Sequence, residues 1–531
     1  MSNDNNKAKE MTKILFSSIT KPIGIESDDL TGNSICEHIY PFIMKYDPLA
    51  IRTQYDHWPL DLIAANITAP STVLHWPTYK QLQRELMKKD YDYLAIPVTT
   101  ATFERAENMS EFARKIKPSI KIIYGGYPPE IGSADEMLIG EGISRIRKLL
   151  GEKTQNTSPI KHPLFPVEHY VAGFKITDTS GVILEKVGCN GNCDFCTTAS
   201  YHPTPKILLN EKEMIDLFRE YLDYGIYRFI VFNDDYLKYK ERNLRIYRTL
   251  HNIGSLEERT QALTQITCFS RMDSVQQYDP IQLLEIGYNQ IWIGVEDFSN
   301  IHSKNDYSKI NDFIETMKDH GIMLILSSFI GSPTQKKEDC IETINKVIKL
   351  GAYGNQYTIL TPFPHTRISN TLEITENRYK YFDGLHLVFR HPHLSKDELE
   401  EILVDAQKRD YFELGSSIMR AIDVKLRAYH NFKTSNVPII KERMRETKET
   451  LEKSLAILSL AGHIHPNPEI KERIKEIQSR IVEEVGTHSY KFLLKTGIYA
   501  SFFADSIKKG LERKGITSKK QPTFSSKRYN M

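Results

Sequence analysis

The chain has 531 residues and a mass of 61.4 kDa, enough for about three domains and a large buried core. Its net charge is +2, with 40% hydrophobic and 26% charged residues, which implies neither a nucleic-acid-coating protein nor an acidic solvating chain; no nucleic-acid partner is expected. No apolar run approaches the roughly 18–20 residues that span a bilayer, and the start, Met1-Ser-Asn-Asp-Asn-Asn-Lys7, has no apolar signal core. Six cysteines in a chain this long exclude a disulfide scaffold, so a cytoplasmic location is expected.

The first 150 residues alternate strand and helix signals. Ile14–Ile19 reads as a strand, Tyr79–Lys89 as a helix (Leu82, Leu86, Met87) and Tyr93–Val98 as a buried strand. A helix carries Phe112 and Ile116. Strands at Ile120–Tyr124 and Met137–Ile139 run into Gly125-Gly126 and Gly140-Glu141-Gly142, and a helix follows through Leu150. This alternation predicts an α/β, doubly wound parallel sheet, whose ligands sit beyond the carboxyl ends of the strands. Residues 151–168, with Pro159, Pro163 and Pro166, read as a linker.

From 169 to 390 the alternation restarts. Strands are expected at Val182–Val187, Tyr227–Phe232, Leu263–Phe269, Gln290–Val295, Met323–Phe329 and Gln356–Leu360. A capping box, Asn210-Glu-Lys-Glu213, opens the first intervening helix, and Gly225 ends it. Six such units predict a partial (β/α)6 barrel with its active site at the strand carboxyl ends. From 391 to 531 the strands stop. Ser395-Lys-Asp-Glu398 is a second capping box, and helical stretches at 416–430, 439–462 and 468–485 predict an α-helical domain. A basic tail closes the chain, with eight Lys/Arg and one acid, Glu512, from Lys508 onward.

The sharpest signal is Cys189-Asn-Gly-Asn-Cys193-Asp-Phe-Cys196, directly after the first strand of the second region. Thiolates ligate iron–sulfur clusters and zinc. Three cysteines on a [4Fe–4S] cubane leave one iron open, whereas a structural zinc site needs a fourth protein ligand; His202 stands six residues on. The spacing alone leaves iron and zinc open. The position after strand one of a six-unit barrel favours iron–sulfur.

Cys-x3-Cys-x2-Cys with aromatic Phe195 before the last cysteine resembles the signature of the radical SAM family. Asn233-Asp234-Asp235-Tyr236 after the second strand, Trp292-Ile-Gly-Val-Glu296 and Thr361-Pro-Phe-Pro364 are similar to further segments of it. Val73-Leu-His-Trp-Pro77, Tyr91-Asp-Tyr-Leu94, Gly125-Gly126 and Gly140-Glu-Gly142 resemble the cobalamin-binding domain of its B12-dependent branch, and Phe389-Arg-His-Pro-His393 resembles a bacterial subgroup of that branch. The resemblance implies three cofactors: a [4Fe–4S] cluster on Cys189, Cys193 and Cys196, S-adenosylmethionine (SAM), and cobalamin. It implies that the open iron chelates SAM, which one electron from a donor such as a flavodoxin or ferredoxin then cleaves. Phe195 would pack on the adenine, Asn233, Asp234 and Asp235 would accept from the ammonium, and Glu296 would bind the ribose or amino end. The plainer roles are core packing for Phe195, helix caps for the aspartates and a solvated strand end for Glu296.

No Asp-x-His-x-x-Gly follows the first strand; Thr20-Lys-Pro-Ile-Gly-Ile-Glu26 stands there. The lower axial ligand is therefore open. The rim that remains for cobalamin is Thr99, Thr100, Thr102, Gly125, Gly126, Gly140, Glu141 and Gly142, which serve equally as ordinary strand-to-helix turns. With cobalamin, the family implies methylation of an unactivated carbon of a small molecule or lipid. Without it, other radical carbon chemistry, such as cyclisation or rearrangement, stays open, and a zinc-bearing binding protein is the alternative of another class. His386, His391 and His393 are candidates for proton supply or for docking the helical region. Tyr490–Phe503 before the basic tail is a candidate membrane-surface contact or a packing helix. Cys36, Cys268 and Cys340 read as small buried hydrophobes.

Overall fold

The structure, a computed structural model, describes residues 12–20, 47, 49–50, 52–53, 56–154, 160–171, 174–175, 179–252, 264–298, 307–486 and 521–526. Cys36, Tyr490–Phe503 and most of the basic tail lie outside them.

The first region is a parallel sheet with helices on both faces. Its strands are β1 (Ile14–Ser17), β2 (Ser71–Leu74), β3 (Tyr93–Val98), β4 (Lys121–Gly126) and β5 (Glu136–Leu138), in the order β2-β1-β3-β4-β5. The side-chain alternation of a strand separates two cores. Ile14, Phe16, Val73, Ala95 and Ile123 face helices α1 (Trp58–Ala65) and α4 (Gly142–Leu149). Leu15, Leu74, Leu94, Ile96 and Ile122 face α2 (Tyr79–Lys88) and α3 (Phe103–Ile116). The sequence reading missed α1 and β2. Trp58-Pro-Leu-Asp-Leu-Ile-Ala-Ala is a short apolar run without a sharp helical stripe, and β2 is only four residues long.

The second region is a seven-stranded sheet. A short edge strand, β6 (Pro166–Val167), pairs antiparallel with β7 (Ser180–Leu184). Parallel strands then follow in sequence order: β8 (Arg228–Phe232), β9 (Gln265–Phe269), β10 (Tyr288–Glu296), β11 (Met323–Ile330) and β12 (Gly354–Ile359). Helices α5 (Thr197–Tyr201), α6 (Glu211–Asp223), α7 (Lys240–Asn252), α8 (Pro280–Ile286), α9 (Ile310–Asp319) and α10 (Lys337–Leu350) connect them. The capping box before α6 forms as expected: Glu213 N–H donates to Asn210 Oδ1 at 3.0 Å and Asn210 N–H to Glu213 Oε2 at 2.7 Å.

The first strand is shorter than Val182–Val187. It stops at Leu184, and Lys186–Val187 pairs antiparallel with Lys206–Ile207 instead. The break falls at Glu185, which is 3% exposed. Its carboxylate meets Arg242 at 2.5 Å and accepts from Asn233 Nδ2 at 3.0 Å. A carboxylate so placed is tolerable only with partners, and those partners lie off the strand axis.

Four helices follow: α11 (Lys396–Leu414), α12 (Ser417–Phe432), α13 (Pro438–Ile464) and α14 (Pro468–Val485). The box at their start is present, with Glu398 N–H donating to Ser395 Oγ at 3.3 Å. Met419, Ile422, Ile440, Leu451, Ile474 and Ile477 make a separate core, which Leu49 from the first region completes. The two ends of the chain thus cross over: Asp47 caps α12 through Ser417 N–H and Oγ (2.9 and 3.0 Å). Phe524–Ser525 of the expected trailing tail forms β13, antiparallel to β2 at the edge of the first sheet.

Under this bundle lies an ion pair between Arg420 and Asp410 at 2.8 Å, with side chains 7% and 10% exposed. Tyr357 and Asn355 also bond Asp410. Arg420→Met leaves Asp410 buried without its counter-charge. The expected loss is about 3–5 kcal/mol, read as a drop in urea midpoint at unchanged slope. Asp410→Asn/Arg420→Met, which removes both charges, should recover part of it.

Candidate functional site

The cysteines sit on the loop after the Lys186–Val187 strand, at the carboxyl end of β7, and end at Cys196, which caps α5. Neighbours hold the loop from outside. Cys189 N–H donates to His202 O (3.2 Å) and Ile368 N–H to Asp194 O (3.1 Å), and Arg367 bonds Asn192 O. Gly191 lies between two sulfurs. A Cβ there would stand 3.2 Å from Cys189 Sγ and 3.8 Å from Cys193 Sγ, and Gly191 N–H donates to Cys189 Sγ at 3.3 Å. Cys196 accepts from the backbone of Ala199 and Thr198; burial, with Cys193 nearby, pushes its thiol up. All three thiols are half-buried and free of disulfides.

A glycine beside two sulfurs, backbone donors aimed at sulfur and half-buried thiols are compatible with a loop that could hold a metal cluster. Among the described residues, no three His, Cys, Asp or Glu side chains gather around one ion position. His202 uses its carbonyl on Cys189, and its ring packs on Tyr127 at 5.5 Å. The donor set suits a multi-iron cluster, one thiol per iron, better than a closed zinc site.

The three polar residues after β8 separate into different roles. Asn233 is 6% exposed and is used on Glu185 and on the N–H of Asp235 (3.2 Å). Asp235 accepts from Ser270 Oγ (2.8 Å), Arg271 N–H (3.1 Å) and Ser274 Oγ (3.0 Å), so it fastens the turn after β9. Asp234 alone turns to the cysteines. It is exposed within a recess where burial raises its pKa, Lys186 and Thr198 oppose that rise, and Cys196 is close enough to feel its charge. Glu296 ends β10 in the left-handed region (φ 53°) after a bulge at Gly294. Its carboxylate folds back over Gly294, where a Cβ would stand 2.7 Å from Glu296 Oε1. Phe195 packs edge-on against Phe329 at 5.2 Å.

The first sheet presents its carboxyl edge to this loop. Tyr127, which follows Gly126, was not singled out from the sequence. Its ring meets Tyr201 at 5.3 Å, its hydroxyl pairs with the Thr198 side chain, and burial, with Asp234 and Cys196 nearby, pushes it up to about 12. Tyr201 Oη donates to Pro128 O (2.7 Å), His365 bonds Pro129 O (2.9 Å), and Lys206 Nζ meets Glu141 at 2.5 Å. An aromatic immediately after Gly-Gly at a strand end was the available signal.

Most of the expected cobalamin rim has internal work. Glu141 caps α4 and pairs with Lys206. Thr99 and Thr102 bond each other (3.1 Å), and Thr100 is 3% exposed within the same turn. Gly126 (φ 88°) and Gly140 (φ 107°) need glycine for their turns. Gly142 leaves room for Ile63 Cδ1, which would lie 2.6 Å from a Cβ. Two features are left over. Gly125 has ordinary backbone and only Leu138 O, 3.9 Å away, near its absent Cβ. Nδ1 of His57 is buried without a partner. His57 is anchored at the β2 end by donating its N–H to His75 Nδ1 (3.2 Å), and it lies beside Trp76, itself at φ 50°. A close backbone approach and an orphaned imidazole nitrogen at the ligand edge of such a sheet fit a large cofactor.

Of the three late histidines, His391 is structural: Nε2 bonds Ser332 O (3.0 Å) and Nδ1 accepts from His393 and Leu394 N–H (3.1 Å each). His386 pairs with buried Asp383 at 3.0 Å, and His393 is exposed. Cys268 and Cys340 are fully buried.

No protein-family model matches the chain. An uncharacterized methyltransferase of Pyrococcus horikoshii is 24% identical over 454 residues, covering 73% of this chain and 94% of that protein. Among solved structures, the radical S-adenosylmethionine methyltransferase TsrM of Kitasatospora setae is similar in two forms. With cobalamin and a [4Fe–4S] cluster it gives a TM-score of 0.49 at 11% identity, covering 82% of this chain and 99% of that one. With tryptophan and a SAM analogue it gives 0.47 at 11% identity, covering 67% and 74%. Coproporphyrinogen III oxidase of Escherichia coli, a radical SAM enzyme, gives 0.23 at 12% identity, covering 57% and 89%.

The two aspartates should respond oppositely to mutation. Asp235→Ala strands three donors, with an expected cost of about 1–3 kcal/mol. Asp234 carries a raised pKa in the folded state, so its charge opposes folding above that pKa. Asp234→Asn should therefore be neutral to stabilising at pH 7, by less than about 1 kcal/mol after solvent screening. The difference should vanish as pH falls below the ordinary value of 3.8. Chemical denaturation of both variants at pH 7 and pH 4 checks the pair.

Proposed function

We propose that this chain is an iron–sulfur enzyme of the radical SAM type. The observation that carries this is the loop of three half-buried thiols at the carboxyl end of a sequentially ordered parallel sheet, with Cys189 and Cys193 flanking Gly191 and Cys196 beside Asp234. The second region is then a partial (β/α)6 barrel and the first a cobalamin-type domain. Cys189, Cys193 and Cys196 hold the [4Fe–4S] cluster, which supplies the electron that cleaves SAM. Asp234, which also accepts from Thr198, is the acceptor for the SAM ammonium, Glu296 binds at its ribose or amino end, and Phe195 on Phe329 offers a ring edge to the adenine. Asn233 and Asp235 position this segment without touching the ligand. Tyr127 and Tyr201 roof the loop and keep water from it.

The particular reaction we infer is cobalamin-dependent methylation of an unactivated carbon. Its support is the carboxyl edge of the first sheet lying against the cysteine loop, with Gly125 free for close approach and His57 Nδ1 unpartnered. His57 and Gly125 are the residues that would hold the corrinoid. A flavodoxin or ferredoxin is the proposed reductant.

Anaerobically purified protein should carry about four irons and four sulfides per chain, and with dithionite it should convert SAM to 5′-deoxyadenosine. Cys193→Ala should lose both. Stoichiometric zinc without sulfide would overturn the enzyme reading. Corrinoid binding, followed by visible absorption, tests the methylation reading separately.

A further inference from the structure

The inner face of the second sheet is only partly filled. On each strand, the residues facing the helices are sealed: Val231, Cys268, Ile291 and Ile293 are all 0% exposed, and Leu326 and Ile359 1%. Of the alternate residues, Val182, Ile230, Met323, Phe329 and Gln356 are also buried, but Leu184, Phe232, Thr267, Phe269, Trp292, Gly294, Ile325, Ser327 and Thr358 stay only partly buried. A packed barrel interior would bury them in layers. The eight side chains among these nine residues carry no charge, so what enters this space is uncharged at that end.

Register arranges five of them in one row. Leu184 pairs with Phe232. Phe232 stands beside Phe269, since Val231 pairs with Cys268. Phe269 pairs with Trp292, Trp292 with Ile325, and Ile325 with Gly354. The rings form a ladder: Trp58 of α1 to Phe232 at 5.8 Å, Phe232 to Phe269 at 5.5 Å, and Phe269 to Trp292 at 5.3 Å, stacked within 23°. Trp58 is 7% exposed and closes one end. The other end stops at Trp292. The next positions are Ile325 and then Gly354, whose absent Cβ would stand 3.4 Å from Ile325 Cγ1, and Gly294 adds no side chain above Trp292, where only the Glu296 carboxylate reaches over. Met323 and Ile325 pack on Tyr353, Ala421 and Val424 below, which closes the floor. One strand repeat above the row stand Asp234 and Gly294, with Glu296 folded over the latter.

We propose that the substrate of this site presents a flat, uncharged, π-rich ring, aromatic or heteroaromatic, that continues the ladder past Trp292 over Ile325. This deepens the reading above and rests on it for the chemistry, though not for the binding. Stacking favours rings over chains of equal area because the quadrupoles of offset rings attract, whereas an apolar wall alone does not discriminate between them.

The test is a calorimetric titration of the cluster-reconstituted protein with indole, cyclohexanol and 1-octanol. Indole should bind about tenfold more tightly than either aliphatic probe. Trp292→Ala should weaken indole about tenfold, and Trp292→Phe should restore most of that affinity. Ile325→Phe, which fills the open end of the ladder without removing a ring, should also weaken indole, so the proposal does not depend on the folding of the alanine variant. Octanol or cyclohexanol binding as tightly as indole, no indole binding, or indole affinity indifferent to Trp292→Ala and Ile325→Phe would each overturn it. 5′-Deoxyadenosine formation by the same sample reports on the radical reading independently.

Discussion

Glu185 carries much of this architecture. Its carboxylate, almost sealed from water, lies at the point where the first strand of the second sheet stops. One oxygen meets Arg242 on α7; the other takes the amide of Asn233 after β8. Its carbonyl accepts from Leu208 and Leu209 N–H, where the chain returns from the cysteine loop. Two consecutive strand ends, a helix and both sides of the loop are therefore fixed by one residue. A buried ion pair of this kind adds little net stability over an apolar packing of the same volume, but loss of either member is costly. What it secures is geometry: β7 cannot run on, so the cysteines leave the sheet at a defined place.

That place is completed by parts of the chain far apart in sequence. The roof comes from Tyr127, Pro128 and Pro129 of the first region, the side from residues 365–368, and the floor from α12. The crossing of the ends, with Asp47 and Leu49 on the helical bundle and Phe524–Ser525 on the first sheet, clasps all three regions together. Each crossing contact is small, a cap or a two-residue pairing. Their cooperation matters because neither the first sheet nor the bundle touches the cysteines through a large apolar surface alone.

How much of this was legible follows from where each signal resides. The cysteine loop stands out in the sequence because its three thiols lie within eight positions and follow a strand signal. The alternation of strands and helices could be read because apolar periodicity is local. The difference between Asp234 and Asp235 could not: it is decided by Ser270 and Ser274, which reach Asp235 only after an intervening helix brings β9 alongside β8. Glu141 and Gly142 looked like a ligand rim because a turn that caps a helix uses the same residues as a turn that approaches a cofactor. Only Lys206 and Ile63, both distant in sequence, reveal the structural role. The pairing of β13 had no periodic signal, since a two-residue strand has no period.

Strain at the mouth of the site shows how the helical region reaches the chemistry. Glu296 and Phe298 both hold positive φ, 53° and 57°, a conformation that costs a non-glycine residue about 1–3 kcal/mol. Between them Asp297, 3% exposed, is clamped: Ser332 Oγ donates to its carboxylate at 2.5 Å and Thr343 Oγ1 to its carbonyl at 3.1 Å. Ser332 in turn is held through its carbonyl by His391, whose other nitrogen takes two N–H groups at the start of α11. Of the three histidines read as candidates for proton supply or for docking the helical region, His391 is therefore a tie. It links the first turn of the helical region to the strand end that folds Glu296 inward. Strain of this size persists only when its surroundings over-determine it, and here three elements do so around one aspartate. The rim of the site is rigid while the interior below it is open, the combination expected of a cavity that must orient a ligand without being filled by its own side chains.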